Sequence, residues 1–367
     1  MIKAAIVHLG PARAPWVFTN ISRHLELFPG VPILFISDHK SHLKKAAGLG
    51  IETYLYQPTR ETDDIFRSTT HNITFRHNFW RTSVERLIAV QQYQTETTQE
   101  KLLHIESDVM LMPNFPWGKV EALDKLTWLS ANSFLDCAAL LYSPSIDAIE
   151  WLIEELRKEI ILHTDATDMK VLYSIRKKSP GEIKLFPSTS PALADELLRS
   201  DNERFLENTK LTSYFGGIFD VLNMGMWLTG QNPRNQGGKV IRYEKYFTQD
   251  NDFDPNSFLL HNGCLSVGEQ PRDNVFNLHV HSKNLRLLSP RWNSELSKLV
   301  GESRTLTGKQ RFSISGYFGS QYDIFVSVER NILIYLVILL KMDRPVSRIR
   351  SSVKRVFRNS PRNYQGS

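Results

Sequence analysis

The chain contains 367 residues, of which 41% are hydrophobic and 23% are charged, and its formal net charge at pH 7 is +6. This composition is typical of globular proteins and excludes a disordered, a collagen-like or a multi-span membrane protein. Its two cysteines, Cys137 and Cys264, are too few for a disulfide or zinc-finger framework, so a reducing compartment is the simpler interpretation.

The first sixty residues alternate between predicted strands and predicted helices. Residues 2–9 form an apolar, β-branched run that ends at Gly10, which is typical of a buried strand and too short for a signal peptide. Pro15 begins a predicted helix, and the apolar runs 31–37 and 51–56 predict the next two strands. Such alternation favours a parallel sheet covered by helices, which binds ligands at the carboxyl ends of its strands.

The middle of the chain continues this pattern and then changes composition. Further predicted strands lie at 101–106, 126–130 and 137–143, and further predicted helices at 79–94, 143–160 and 168–176. Residues 187–275 are rich in Asn, Gly, Asp and Pro and only weakly periodic, which indicates a mixed second lobe. Apolar alternation returns at 274–285, where a closing strand is predicted.

Two acidic residues lie at the end of the predicted strand 101–106. Glu106 and Asp108 flank Ser107, and residues two apart at a strand end project to the same side. Carboxylate oxygens are hard ligands that suit Mg²⁺ or Mn²⁺ shared with substrate phosphates. Because an acid-x-acid triplet is common, a solvated strand end is an equally good interpretation of this feature alone.

The closing strand carries two histidines and a lysine. His279 and His281 lie on one side of it, and Lys283 follows two residues later. A neutral imidazole can complete a carboxylate metal site, and a nearby lysine can neutralise a diphosphate leaving group. A pair of structural histidines near the surface is the alternative.

The order of these features resembles the GT-A class of nucleotide-sugar-dependent glycosyltransferases. The features are a βαβ start, a strand that runs into an acid-x-acid triplet, and a late His followed by Lys. In that class the triplet holds a divalent cation against the diphosphate of the donor, and a late histidine often joins the metal. The resemblance implies that Asp108, His281 and Glu106 bind Mn²⁺ or Mg²⁺. Glu106 occupies the first position of the triplet, where the class has Asp. The resemblance also implies that Lys283 contacts the departing diphosphate.

The resemblance covers about residues 2–285, and together with the composition of the tail it leads us to expect three parts of the chain. Residues 1–186 would form the nucleotide-sugar-binding α/β domain, with a Rossmann-like, mostly parallel sheet flanked by helices. Residues 187–290 would form a mixed acceptor lobe and the closing strand. Residues 291–367 would form a C-terminal region with an apolar helix and a basic tail.

Four further residues are predicted to bind the nucleotide sugar. Asp38 follows the second strand, where the class often contacts base or ribose, and its carboxylate can accept hydrogen bonds from ribose hydroxyls. His8 ends the first strand, and Arg76 and Arg81 can pair with phosphate. A turn acid that caps a helix and solvated helix-face charges are the alternatives for Asp38 and the arginines.

An inverting transfer needs a general base beside the acceptor hydroxyl. Asp168 lies at a predicted helix start after the triplet, which is where similar enzymes carry a catalytic acid. Asp220, in an aromatic and Gly-containing segment, is the rival prediction. Asp168 can equally be a helix cap, and the aromatic residues near Asp220 can equally belong to the core.

The C-terminal tail has a different chemistry. Residues 331–340 form an apolar run of ten, which is too short to cross a bilayer. From Lys341 onward there are eight Lys or Arg and one acid, so the tail carries +7 and the remainder of the chain −1. Apolar residues at helical spacing between the basic ones favour an anchor on an anionic membrane surface, with a core helix and a disordered end as the alternative. A charge confined to the tail does not indicate a nucleic-acid-binding protein.

The sequence therefore predicts a metal-dependent glycosyltransferase that moves a sugar from a nucleotide-sugar donor to a glycan or lipid-linked glycan, at the cytoplasmic face of a membrane. A metal-dependent nucleotidyltransferase and a non-catalytic glycan-binding protein are the alternatives. The chain has no G-x-G-x-x-G after the first strand, no Walker A motif and no G-x-S-x-G, which disfavours dinucleotide enzymes, P-loop enzymes and serine hydrolases.

Overall fold

The structure is a computed structural model that describes residues 1–10, 14–67, 69–70, 78–165, 167–194, 196–230, 241–242, 257–268, 272–303 and 311–312. The described strands are β1 Lys3–His8, β2 Ile33–Ser37, β3 Glu52–Leu55, β4 Leu102–Glu106, β5 Val109–Leu111, β6 Leu126–Asn132, β7 Leu135–Ser143, β8 Ile183–Phe186, β9 Gly217–Ile218, β10 Ile241–Arg242, β11 Leu259–His261, β12 Cys264–Val267, β13 Asp273–Val275, β14 Asn277–His279 and β15 Arg311–Phe312. The described helices are α1 Pro15–Leu27, α2 Lys40–Ala47, α3 Arg60–Arg67, α4 Phe79–Thr97, α5 Trp117–Glu121, α6 Ile146–Leu162, α7 Asp168–Lys178, α8 Glu196–Ser200, α9 Asn202–Phe215, α10 Asn223–Thr229 and α11 Trp292–Ser303. The predicted donor residue Arg76 and the basic tail lie outside the described residues.

A seven-stranded sheet forms the centre of the molecule. Its strand order is β3-β2-β1-β4-β7-β6-β8, and β7 runs antiparallel to both of its neighbours while the other described pairs are parallel. The carboxyl ends of β1, β2, β4, β6 and β8 therefore meet at one edge. The predicted α/β class with a mostly parallel sheet is confirmed.

Both faces of this sheet are covered by helices, as the alternation within β1 illustrates. Ala4 and Ile6 face a core that includes residues of α1, whereas Ala5 and Val7 face a second core with residues of α4, α6 and α7. A strand that is buried on both faces needs apolar residues at every position, which is why residues 2–9 form a continuous apolar run.

Two smaller sheets extend the molecule beyond the central one. Strands β11, β12, β13 and β9 form a four-stranded sheet, and β14 pairs antiparallel with β5. A third apolar core packs beneath these elements and includes Met110, Leu265 and Leu278. In the β5–β14 pair His279 lies opposite Val109, so the end of β14 meets the end of β4 directly after Glu106.

None of the eleven helices in the described part of the chain combines the length and the hydropathy that a membrane span requires. The apolar run 331–340 lies outside the described residues.

Candidate active site

Two carboxylates and one imidazole converge where β4 ends. His279 Nε2 lies 3.3 Å from Glu106 Oε2 and 3.4 Å from Asp108 Oδ2. One potential ligand atom from each side chain lies within 4.8 Å of the other two, and the residues are nearly or fully buried. Three side chains arranged in this way could hold a metal ion, and we call them the Glu-Asp-His cluster.

The imidazole of His279 has a defined orientation. Its Nδ1 lies 2.8 Å from the backbone oxygen of Val221, and because a carbonyl only accepts, Nδ1 carries the hydrogen. The other nitrogen, Nε2, therefore points at the two carboxylates as either a ligand atom or a second N–H donor. Burial alone would lower the pKa of His279, but the hydrogen bond and charge of Glu106 outweigh it and raise the pKa.

Glu106 is held in its ionised form by a buried arginine. Arg86 Nη2, on α4, lies 2.8 Å from Glu106 Oε1. Although burial opposes ionisation, the charge of Arg86 and the hydrogen bond from His279 hold the pKa of Glu106 well below its usual range. Arg86 was not predicted from the sequence, although its place on the buried side of α4, between Ser83 and Val90, was an available signal.

Lys283 contributes a second positive charge at the same place. Its Nζ forms an ion pair with Asp108 Oδ2 and lies 5.8 Å from the centre of the Trp16 ring. The backbone of Lys283 has φ of 55°, so the chain turns sharply just after β14 and returns this side chain to the cluster. The sequence prediction paired Lys283 with phosphate, and the lysine does lie beside the two acids.

Helix α1 supports the turn between Glu106 and Asp108. Asn20 Nδ2 donates to the backbone oxygens of Ser107, at 3.2 Å, and Val109, at 2.8 Å. Trp16 Nε1 donates to Ser107 Oγ at 3.4 Å. These bonds satisfy buried backbone groups that a strand end leaves unpaired, and they fix the two carboxylates relative to each other.

The histidine of the cluster is His279, whereas the sequence prediction named His281. The ring centres of the two histidines lie 4.1 Å apart with an interplanar angle of 34°, so His281 stacks on the outer side of His279. Residues two apart on a strand share a face, and the sequence pattern cannot decide which of them meets the acids. The register of β14 against β5 decides it.

Asp220 has a different position from the one predicted for a general base. Its side chain is fully buried, and its carboxylate accepts hydrogen bonds from the backbone N–H groups of Met224, Gly225 and His279 at 3.1, 2.8 and 3.0 Å. Burial raises the pKa of Asp220 to about 6, against the lowering effect of these bonds. The carboxylate therefore joins the start of α10 to β14 and fixes the backbone of His279.

Asp168, the other residue predicted as a general base, lies near the Glu-Asp-His cluster. It is the first residue of α7, and Thr167, not Asp168, caps that helix. The Asp168 carboxyl is hydrogen-bonded by Ser83 and interacts with Arg86 and Glu106. Burial raises the pKa of Asp168, and Arg86 opposes that rise.

The remaining predicted donor residues have partners within the protein. Asp38 is exposed at the end of β2, where its two carboxylate oxygens each lie 3.2 Å from the backbone N of Gly10. The ring of His8 packs edge-on against Trp16, with ring centres 5.9 Å apart, and Trp16 in turn contacts Ser107 between the two acids. Arg81 forms ion pairs with Asp63 and Glu85 at 2.6 and 2.7 Å.

Comparisons with known proteins find similarity at the level of structure. No family model matches the chain, and no curated protein matches its sequence. The fold is similar to a galactosyltransferase, LgtC, in complex with donor and acceptor sugar analogs, with TM-score 0.40, 12% identity, and 57% of this chain and 83% of that chain covered. It is also similar to a glycosyltransferase involved in the glycosylation of the major capsid of PBCV-1, with TM-score 0.32, 12% identity and coverage of 56% and 90%. A third similar structure is the apo form of the glycosyltransferase GlyE of Streptococcus pneumoniae TIGR4, with TM-score 0.34, 11% identity and coverage of 50% and 45%.

Proposed function

We propose that this protein is a metal-dependent glycosyltransferase that uses a nucleotide-sugar donor, and that Glu106, Asp108 and His279 hold its divalent cation. The observation that carries the proposal is the orientation of His279, whose Nδ1 bonds to Val221 while Nε2 faces two carboxylates. Two hard oxygens and one imidazole nitrogen fit Mn²⁺ better than Mg²⁺, because Mg²⁺ prefers an all-oxygen shell.

In this proposal each neighbouring residue has a defined task. A bound divalent cation would neutralise negative charge on the departing nucleoside diphosphate. Lys283 would bind the diphosphate directly, and Arg86 would keep Glu106 ionised and in place. Asp38 and His8, at the ends of β2 and β1, would contact the nucleoside, since ligands of such sheets bind at the carboxyl ends of the strands.

We assign the general base of an inverting transfer to Asp168. Its contact with Ser83 and its closeness to Arg86 and Glu106 support this role, and its raised pKa improves its ability to accept a proton. We expect Asp168→Asn to lower kcat by about 10²–10⁴-fold with little change in donor binding. Steady-state kinetics with the donor would test this, and an Asp168→Asn enzyme of normal kcat would contradict it.

The acceptor is proposed to be a glycan or a lipid-linked glycan, reached at an anionic membrane surface. The +7 charge of the tail from Lys341 onward supports this localisation, together with the apolar run that precedes it. The protein would then work as a peripheral protein at the cytoplasmic face.

The metal and donor site can be tested by thermal unfolding with a panel of nucleoside diphosphates. A ligand that binds the native state raises its stability, so one diphosphate should raise the melting temperature of the wild type, and only when Mn²⁺ is present. Asp108→Asn should lose this effect, because it removes the charge that holds the cation. Asp124→Asn is the matched control, since Asp124 is an exposed acid that pairs with Lys184 at the surface.

The outcomes separate the proposal from the alternatives. A wild type that gains no metal-dependent stability from any diphosphate, or an Asp108→Asn variant that behaves like the wild type, would contradict the proposal. A non-catalytic glycan-binding protein would not turn over a nucleotide sugar, so a donor-hydrolysis assay with and without EDTA would separate it from the enzyme. A nucleotidyltransferase would consume a nucleoside triphosphate and release pyrophosphate.

A further inference from the structure

The turn between β6 and β7 displays an aromatic ring at the active-site edge of the sheet. Asn132 pairs with Leu135, so Ser133 and Phe134 form a two-residue turn. The Phe134 side chain is 63% exposed, which is unusual for an aromatic residue in so short a connection. Single exposed apolar residues are common, so exposure alone does not indicate a role.

Hydrogen bonds within the turn and from α9 fix the backbone of this turn. Asn132 Oδ1 accepts a hydrogen bond from the backbone N of Phe134 at 2.8 Å. Arg204, on α9, donates to Ser133 Oγ at 2.9 Å and to Ser130 Oγ at 3.2 Å. A charged donor that bridges the strand and the turn fixes the position from which Phe134 projects.

The strand beneath the turn is fixed from the opposite side. The carboxylate of Asp136 is fully buried and accepts two bonds from Arg176, on α7, at 2.6 and 3.0 Å. It also accepts a bond from Trp128 Nε1 at 3.0 Å. Strand β6 has register shifts between Trp128 and Leu129 and between Ser130 and Asn132, and such bulges redirect side chains at sheet edges.

The strand register places Phe134 at the same edge of the sheet as the Glu-Asp-His cluster but beyond it. Strand β7 is the antiparallel neighbour of β4, so β7 begins at the edge where β4 ends. Ile105 pairs with Leu140, so Glu106 lies level with Ala139 on β7. Phe134 lies five residues further out, which corresponds to about 16 Å along a strand.

We infer that Phe134 is a binding platform for the acceptor saccharide, on which the apolar face of a pyranose ring stacks. This inference rests on the proposed function and names a contact of the acceptor at that site. An aromatic side chain on a backbone that is already ordered has only two side-chain torsions to restrict on binding, and the C–H face of a sugar ring offers it apolar surface. Because Phe134 lies about 16 Å along β7 from the level of Glu106, the platform contacts a unit beyond the one that receives the sugar. The acceptor is therefore an oligosaccharide or a longer glycan rather than a single sugar.

The test measures glycan binding directly, with the full-length protein and a microarray of defined glycans. The glycans retained by the wild type should bind Phe134→Ala at least about fivefold more weakly and Phe134→Trp about equally well. Leu206→Ala is the matched control, because Leu206 is an equally exposed apolar side chain, at 66%, on α9. We expect Leu206→Ala to bind like the wild type.

Three results would overturn the inference. In the first, Phe134→Ala binds glycans as well as the wild type does. In the second, the wild type retains no glycan. In the third, Phe134→Ala loses binding to vesicles but keeps its binding to glycans. The last result would identify the ring as a lipid contact. The nucleoside diphosphate experiment with Mn²⁺ separates this failure from that of the proposed function. If the wild type passes that experiment and Phe134→Ala keeps its glycan binding, only the inference about Phe134 fails.

Discussion

Asp108 is shared by a lysine and a histidine. Its Oδ2 atom forms an ion pair with Lys283 and lies 3.4 Å from His279 Nε2. A divalent cation bound to the same oxygen would be repelled by the Lys283 ammonium at short range, where partial burial weakens solvent screening. A diphosphate relieves this conflict, because its negative charge can draw Lys283 away from Asp108. Under the proposed function, Lys283 would therefore couple cation binding to diphosphate binding.

Replacing Lys283 by Gln should have opposite effects on two ligands. We expect Mn²⁺ alone to bind Lys283→Gln about tenfold more tightly, a change of ~1.4 kcal/mol, because the competing charge is gone. The stabilisation by diphosphate in the presence of Mn²⁺ should decrease, because a phosphate partner is lost. Calorimetric titration of Mn²⁺ and thermal unfolding would measure the two effects.

The control for this prediction is Lys44→Gln, which removes the same charge from an exposed position on α2. It should change neither binding constant. Weaker Mn²⁺ binding by Lys283→Gln would show that Lys283 supports the cation site instead of competing for it.

At the scale of elements, the site depends on a close approach of α10 to β14. Asp220 accepts hydrogen bonds from α10 and from the backbone N of His279, which ties the helix start to the strand. Gly225 permits this contact, because a Cβ atom at that position would lie 2.1 Å from the backbone oxygen of His279 and 2.7 Å from Asp220 Oδ2. The side chain of His279 is therefore placed by a helix that itself provides no side chain to the Glu-Asp-His cluster.

We expect Gly225→Ala to displace β14 from α10. The added methyl group meets backbone atoms that cannot move without breaking the Asp220 hydrogen bonds, so the free energy of unfolding should fall by about 1–3 kcal/mol. Mn²⁺ binding should weaken in the variant that remains folded. Chemical unfolding and Mn²⁺ titration would measure both changes.

Gly301→Ala, on α11, is the matched control, since among the described residues no atom outside the backbone of its own helix and its two chain neighbours lies within 4 Å of its added Cβ. Alanine favours a helix interior over glycine, so this control should be slightly more stable than the wild type. An unchanged stability and Mn²⁺ affinity in Gly225→Ala would mean that the contact between α10 and β14 is not required.

The same elements explain which parts of the site could be predicted from the sequence. The strand before Glu106 and the acids at its end follow from local patterns, because an apolar run and a turn are local features. The choice between His279 and His281 does not, because it depends on pairing between β14 and β5, about 170 residues apart in the sequence. The N–H groups that donate to Asp220 could not be predicted either. They belong to the start of α10, and the sequence around that helix start has weak periodicity. The contacts of Arg86 likewise arise only when α4 packs on the sheet.

At the scale of the whole molecule, charge is distributed unevenly along the chain. The residues before Lys341 carry a net charge of −1 and the remainder carries +7. The central sheet and the site residues all belong to the nearly neutral part, so catalysis and surface attachment are proposed for different parts of the chain. Attraction to a charged surface scales with the number of basic residues and falls with ionic strength, whereas apolar contacts do not weaken in salt.

The proposed attachment predicts how the protein binds vesicles. A full-length variant with its eight basic tail residues replaced by Gln should lose most of its binding to anionic vesicles, since each Lys or Arg near such a surface contributes about 1 kcal/mol. The wild type should sediment with anionic vesicles at low salt, less at high salt, and little with zwitterionic vesicles. Both proteins should respond equally to nucleoside diphosphate and Mn²⁺, because every proposed donor-site residue precedes residue 290. Equal vesicle binding by the two proteins would show that the basic tail is not the anchor and would leave the apolar run 331–340 as the segment to test.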